Sequence, residues 1–346
     1  MPESGRVPRI AITMGDPCGV GPEVVAAALS DPEVRRQCLP VVIGEPLAFR
    51  RACKVLGVEA EVREIRSPES VAESSIKEVP VYCPMRLEER DVEPGKPTNR
   101  TARATISYIE TAVRMTMEGI TDAVCTAPIN KAVLASSGFP FPGHTEFLQY
   151  LTGSDKAVMM LVGPSLRVSL VTIHVPLREV CSLLSIEGIT DTISITGKAL
   201  WEFFGIESPR IAVCGVNPHA GEGGKFGREE TEIIGRAVKR ASDMLPFQIS
   251  GPHPADTVFF HACRGAYDAV VAMYHDQGLL PIKLLHFHEA VNVTLGLPLI
   301  RTSVDHGTAY DIAGKGLAHP GSMKAAVSLA AKMVGQGRHR REAGRT

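Results

Sequence analysis

Short apolar, strand-like runs alternate with helix-like segments from the first residues of this 346-residue chain, and that alternation limits the fold more than any single motif. Ile10–Met14 reads as a strand, Pro22–Leu29 as a helix with proline in its first turn, and Pro40–Ile43 as the next strand. Strands linked through helices predict an α/β fold with a parallel sheet and crossover helices. A long helix is expected over Thr101–Glu118, with Ile106, Ile109, Val113 and Met117 on one face, followed by a buried strand at Asp122–Thr126. A second is expected over Ile186–Phe204, whose apolar spacing reads as core packing, and a third over Glu229–Ala241.

Domains commonly hold about 100 to 200 residues, so a chain of this length suits two lobes better than one small core. The sequence shows no internal repeat and no low-complexity linker, which puts any boundary inside a continuous α/β pattern. Residues 1–128 with 300–346 are expected to form a first lobe, and residues 129–299 a second that carries the metal ligands. A formal net charge of −1 gives no general electrostatic case for nucleic acid or an anionic membrane. A small-molecule partner is expected instead. The eight cysteines are scattered without a CxxC pair, which suits reduced thiols in the cytoplasm. No run approaches the roughly 18 apolar residues of a membrane span, so a soluble protein is expected. Gln336–Thr346 carries four arginines without apolar periodicity and reads as a solvated end.

Three histidines follow strand-like runs: His174 after Arg167–Ile173, His219 after the run from Ile211, and His275 after Ala269–Tyr274. Ligands bind beyond the carboxyl ends of strands in open α/β sheets, so three imidazoles delivered there suit one divalent metal. A lone histidine at a strand end is more often an ordinary loop residue. Local context favours the metal: Asn217-Pro-His-Ala-Gly-Glu-Gly-Gly224 is glycine-rich, and Tyr274-His-Asp-Gln-Gly278 sets a carboxylate beside an imidazole. Asp276, and Asp256 in Pro254-Ala-Asp-Thr257, are candidates for orienting a ligand or carrying protons, with helix capping an equal explanation for Asp256.

The dinucleotide fingerprint G-x-G-x-x-G is missing, as is a P-loop. Gly221, Gly223 and Gly224 precede a helix and could cradle a cofactor phosphate, although a turn needing positive φ explains them equally well. Lys283 and Arg301 could hold an anionic substrate near the strand ends, with surface ion pairing as the plain alternative. A metal that holds an alcohol or carbonyl oxygen fits two chemistries, oxidation by a nicotinamide and metal-assisted hydrolysis. The residues alone leave both open. A non-catalytic sensor on the same fold is less favoured, because nothing resembles an output domain.

Seven ordered segments, Ala11–Glu23, Thr126–Lys131, Gly143–Phe147, Val216–Glu222, Pro254–Thr257, Tyr274–Gly278 and Arg301–Ala309, together resemble the 4-hydroxythreonine-4-phosphate dehydrogenase family of pyridoxal phosphate biosynthesis. The resemblance runs from about residue 8 to 335. It implies a two-lobed α/β/α fold like that of isocitrate and isopropylmalate dehydrogenases, which bind NAD without the Rossmann fingerprint. It also implies a homodimer with its active site between lobes and at the subunit interface. By motif, His174, His219 and His275 would be the metal ligands, contributed across the dimer; zinc is favoured, with magnesium or cobalt as alternatives. His144, Thr145, Lys283, Asn292 and Arg301 would contact the substrate. The implied reaction is oxidation of the C3 hydroxyl of 4-phosphooxy-L-threonine by NAD, then decarboxylation to 3-amino-2-oxopropyl phosphate. Leu279–Leu285 looks closer to a branch acting on D-threonate or D-erythronate 4-phosphate. Cys18 stands where the family motif more often has alanine, and reads as packing.

Overall fold

A computed structural model describes residues 6–73 and 78–343. The chain forms two compact units, Met1–Lys156 with Leu297–Arg338 and Ala157–Gly296 with His339–Thr346.

The first unit begins with β1 (Arg9–Thr13), α1 (Gly21–Leu29), α2 (Pro32–Gln37), β2 (Leu39–Ile43), α3 (Pro46–Leu56), β3 (Glu61–Ile65) and β4 (Glu78–Tyr82). It continues with α4 (Asn99–Met117), β5 (Ala123–Thr126), α5 (Lys131–Ser136) and α6 (His144–Thr152). β1 pairs in parallel with β2 on one side and β5 on the other. Ile10, Ile12, Val41, Val42, Val124 and Cys125 are fully buried, as expected of parallel strands covered on both faces.

Thr98 starts α4, accepting from the Thr101 amide at 3.2 Å while its own amide donates to Thr101 Oγ1 at 2.9 Å. The buried face of this helix includes Ile109 and Val113 as expected but otherwise departs from expectation. Thr101, Thr105, Tyr108, Ala112 and Met115 are buried, whereas Ile106 is only half-buried and Met117 is 51% exposed. Small alanine and threonine side chains let α4 lie close against β1 and β5, so their periodicity sets the inner face.

In the second unit the chain runs through β6 (Val158–Val162), β7 (Arg167–Leu170), α7 (Val180–Leu183), α8 (Ile186–Glu202), β8 (Arg210–Cys214) and α9 (Gly235–Met244). Then come β9 (Gln248–His253), α10 (Ala255–Cys263), β10 (Ala269–Ala272), α11 (His275–His286) and β11 (Val291–Leu295). The expected helix at Glu229–Ala241 opens as a wide π turn over Glu230–Ile234 before α9.

The strand order here is β11-β6-β7-β10-β8-β9. β7, β10, β8 and β9 are parallel neighbours, but β6 is antiparallel to both β11 and β7. The parallel sheet expected from the alternation is thus present, with β6 as an antiparallel strand within it. Residues 163–166 join β6 to β7 and close a hairpin through a 2.8 Å bond from the Gly163 amide to the Leu166 carbonyl, too short a path for a crossover.

The chain then returns to the first unit with β12 (Ile300–Val304), parallel to β5, and α12 (Gly321–Ala343). The C-terminal segment is helical to Ala343, with most of residues 336–343 exposed as expected, and its last residues, 344–346, lie outside the described set. Arg338 anchors it within the first unit, donating to Asp122 at 2.6 Å and to the Arg6 carbonyl at 2.7 Å. The units divide after Lys156 and Gly296, where the sequence pattern placed crossings near 128 and 300. α5 and α6 pack on α4, which keeps residues 129–156 with the first unit. Among the described residues no helix is long and apolar enough to cross a membrane.

Candidate active site

In the first unit the ends of β5 and β12 carry a buried polar group. Arg301 and Ser303 lie opposite Val124 and Thr126, so both side chains of β12 emerge on one face. Arg301, only 2% exposed, donates from Nη2 to Thr126 Oγ1 at 2.6 Å, and Thr126 Oγ1 donates to Ser303 Oγ at 2.9 Å. Burial pushes the guanidinium pKa down to about 10. Arg301 is therefore a cation built into the core and not a surface residue.

His144 and Thr145 open α6 behind Gly143, which offers no side-chain cap. His144 Nε2 is sealed from solvent and has no hydrogen-bond partner. Burial, then the nearby charges of Arg301 and Lys131, holds the imidazole pKa well below its ordinary value, so the ring is neutral. The site thus sets a neutral ring with a sealed nitrogen near two cationic side chains. Lys131 comes close because position 143 is glycine: a Cβ there would lie 3.2 Å from Lys131 Cε.

Two neighbouring features had no place in the sequence reading. Asp16 is 3% exposed and accepts from the Cys18 amide at 2.9 Å and from Tyr310 Oη at 2.5 Å. Burial raises the Asp16 pKa while those two hydrogen bonds oppose the shift. Glu23 accepts from the amides of Gly314 and Gly316, at 2.5 and 2.7 Å. These contacts pin the 306–316 loop to the turn after β1, through Asp16, and to the first turn of α1, through Glu23. Burial, and then the Asp16 charge, pushes the Cys18 thiol up to about 12, which suits the packing role expected of it.

The second unit presents its histidines beyond β7, β10 and β8, which are adjacent. Past the ends of β7 and β10 the backbones still pair, through Val171 N to the Ala272 carbonyl at 2.9 Å and Thr172 N to the Met273 carbonyl at 3.2 Å. This shared path brings the His174 and His275 rings to 5.6 Å between centroids. His275 opens α11, and its Nδ1 lies 2.7 Å from Asp276 Oδ1, which aims Nε2 away from the carboxylate. Gln277 ties two strand exits together, accepting from Met273 N at 2.7 Å and donating to the Gly215 carbonyl at 2.8 Å.

His219 lies in a different setting, a turn in which residues 219–223 all have positive φ. For the non-glycine residues His219, Ala220 and Glu222, at φ 53°, 50° and 42°, such backbone costs roughly 1–2 kcal/mol per residue. Buried Glu230 fills the inside of the turn, accepting from the amides of Val216 and Asn217 at 2.8 and 2.7 Å and from Asn217 Nδ2 at 3.0 Å. Gly221 is required there, because a Cβ would stand 2.6 Å from Glu230 Oε2. Gly223 and Gly224 adopt φ of 67° and 97°. The positive φ of all three glycines suits a turn, and the Glu230 carboxylate packs against Gly221 while its backbone bonds go to the amides of Val216 and Asn217.

Imidazoles with a carboxylate on one ring nitrogen are a suitable donor set for zinc or a similar ion. Within one chain the fit is partial. His174 and His275 approach each other, while among the described residues no three His, Cys, Asp or Glu side chains are grouped to hold a metal. Asp256 is exposed in the first turn of α10, consistent with a helix-start role. Lys283 lies on α11 with its ammonium 5.2 Å from the centre of the Phe287 ring. Asn292, on β11, keeps a buried Oδ1 without a hydrogen-bond partner. All eight cysteines are free thiols.

The sequence matches the family model described as pyridoxal phosphate biosynthetic protein PdxA over residues 36–330. A 4-hydroxythreonine-4-phosphate dehydrogenase of Geobacter metallireducens is 51% identical, the match covering 94% of this chain and 96% of that protein. A D-threonate 4-phosphate dehydrogenase of Cupriavidus necator is 45% identical, over 96% of this chain and 98% of the relative. Among solved structures, a 4-hydroxythreonine-4-phosphate dehydrogenase from Burkholderia phymatum superposes with a TM-score of 0.82 at 44% identity, covering 95% of this chain and 99% of that one. With the family model matched over most of its length and relatives similar from end to end, this chain belongs to the PdxA family.

Proposed function

We propose that the protein oxidises the C3 hydroxyl of 4-phosphooxy-L-threonine with NAD, and that the resulting 3-oxo acid loses carbon dioxide to give 3-amino-2-oxopropyl phosphate for pyridoxal 5′-phosphate synthesis. Hydride passes from C3 to the nicotinamide and the hydroxyl proton to a base. Cleavage of the bond to the carboxylate then releases carbon dioxide, and a proton is taken up at C2. The observation that carries this reading is the sealed, unpartnered Nε2 of His144 beside buried Arg301, which suits an anionic, hydroxylated substrate. In the first unit the proposed substrate contacts are His144, Thr145 and Arg301. In the second they are Lys283 and Asn292, whose orphaned Oδ1 gains a donor when substrate binds.

A divalent ion, zinc by preference, would supply Lewis acidity to the substrate oxygen and its developing charge. His174 and His275 would hold it, Asp276 would fix the His275 ring, and the separate setting of His219 fits a ligand contributed across a homodimer. The cytoplasm, where the free thiols stay reduced, is the proposed compartment.

A second reading keeps the chemistry but changes the substrate to D-threonate or D-erythronate 4-phosphate. It is favoured by the Leu279–Leu285 segment and by the Cupriavidus necator relative. Formation of reduced nicotinamide by metal-replete protein, followed with each of the three substrates, decides between them. Preference for the aminated substrate supports the first reading and preference for a sugar acid the second. Phosphate release without any nicotinamide reduction would overturn both in favour of a hydrolase.

A further inference from the structure

We infer that Glu230 is a positioning residue that sets the metal affinity of His219, by holding the Val216–Gly223 turn in its left-handed form. This rests on the proposed reading of His219 as a metal ligand. Residues 219–223 form a continuous stretch of positive φ that contains only two glycines, Gly221 and Gly223, so the backbone has no intrinsic reason to stay there. Glu230 supplies that reason. Its carboxylate is 3% exposed and takes hydrogen bonds from two consecutive amides, Val216 and Asn217, at the entry to the turn. Asn217 Nδ2 adds a third bond to Glu230 and a fourth, at 2.7 Å, to Glu229. Cβ atoms at Gly215 and Gly221 would stand 3.0 and 2.6 Å from the two carboxylate oxygens, so the chain lacks side chains where Glu230 needs room.

The carboxylate therefore grips the turn two and three residues before His219, and the geometry of that grip fixes where the imidazole leaves the backbone. The two amides share Oε1 and Asn217 Nδ2 donates to Oε2, so glutamine, with the size of glutamate, removes the negative charge that the amides meet and puts an NH2 group that cannot accept where Asn217 Nδ2 donates. Holding a ligand through such outer contacts commonly controls metal affinity by about 10- to 100-fold.

The test is titration of the metal-free full-length protein with Co(II), read by its visible absorption bands and by equilibrium dialysis, for wild type, Glu230→Gln, Asn217→Ala, His219→Ala and Asp268→Asn. Asp268 accepts from Arg210 N at 2.8 Å and from the Arg210 guanidinium at 2.9 Å, so its variant is a stability control in the same unit, away from the turn. The expected result is Co(II) affinity lowered at least about tenfold in Glu230→Gln, lowered also in Asn217→Ala, and unchanged in Asp268→Asn. Should Glu230→Gln fail to fold, Asn217→Ala alone decides, since it removes two of the bonds and leaves the buried carboxylate in place. Unchanged affinity in the Glu230 and Asn217 variants, with loss of binding in His219→Ala, overturns the inference and leaves the metal reading intact. Unchanged affinity in His219→Ala overturns the metal reading and the inference with it.

Discussion

Arg301 Nη2 and Thr126 Oγ1 are joined by a 2.6 Å hydrogen bond between neighbouring parallel strands, and both residues are almost wholly removed from solvent. A guanidinium held this way is already desolvated and oriented, and the contact proposed between Arg301 and an anionic substrate would use that preorganisation.

Replacing Arg301 by lysine removes the planar fork while keeping a charge. Catalytic efficiency kcat/KM is expected to fall roughly 100-fold, since a point charge on a flexible stem cannot reproduce a fixed donor pair. Thr126→Val, which breaks the bond to Arg301 but keeps the cation, should cost about tenfold. Steady-state rates of nicotinamide reduction check both. A loss in Thr126→Val as large as in Arg301→Lys would mean that the two act as one structural unit.

His144 gives a pH prediction whose sign follows from its environment. Burial and neighbouring cations hold its folded pKa well below the ordinary 6.5. Below pH 6.5 the unfolded chain takes up a proton that the folded protein refuses, so stability is full above that pH and is lost as pH falls towards the folded value. The loss has a slope of at most about 1.4 kcal/mol per pH unit for this one group. Urea denaturation of wild type and His144→Gln at several pH values between neutrality and 5 isolates the term. The difference between the two curves should shrink as pH drops; a constant difference would place the proton elsewhere.

Asn292 is expected to separate binding from stability. Its Oδ1 is buried without a partner in the free protein. Removing an unsatisfied polar atom costs little, so Asn292→Ala should lower unfolding stability by less than about 1 kcal/mol. If the amide contacts substrate, KM should rise about tenfold with kcat little changed. Thermal melting and steady-state kinetics on the same preparation test the pair of effects. A large drop in melting temperature with KM intact would assign Asn292 to the fold.

The alternation of strands and helices made the buried parallel strands β1, β2 and β5 readable from composition alone, because strands covered on both faces must be continuously apolar. The same logic could not give direction to β6, whose Val158–Val162 run looks identical whether parallel or antiparallel. It found only part of the inner face of α4: Ile109 and Val113 are buried as expected, but threonine and alanine complete the face and Met117 is exposed. At the site, the histidines beyond β7, β8 and β10 were legible as residues at strand exits. Glu230 was not, since it acts on Val216 and Asn217 from 14 and 13 residues away and carries no local pattern. Asp16 and Tyr310 are separated by 294 residues, and only the folded chain brings them together.

The bond between His275 Nδ1 and Asp276 Oδ1, at 2.7 Å, carries the last prediction. Asp276 is exposed, with 75% of its side chain open to solvent, so Asp276→Asn should leave folding stability within about 0.5 kcal/mol of wild type. The effect belongs to the ring. A carboxylate on Nδ1 keeps the proton there and leaves the Nε2 lone pair outward, free to serve as a ligand. An asparagine can accept the same bond without the charge, so Asp276→Asn should weaken metal binding by roughly tenfold and Asp276→Ala by more. Activity after chelation and stepwise return of zinc, cobalt or magnesium reads the affinity through function, and bound metal per protomer reads it directly. If both variants bind metal as wild type does, His275 is not a ligand and the pairing with Asp276 serves only the start of α11.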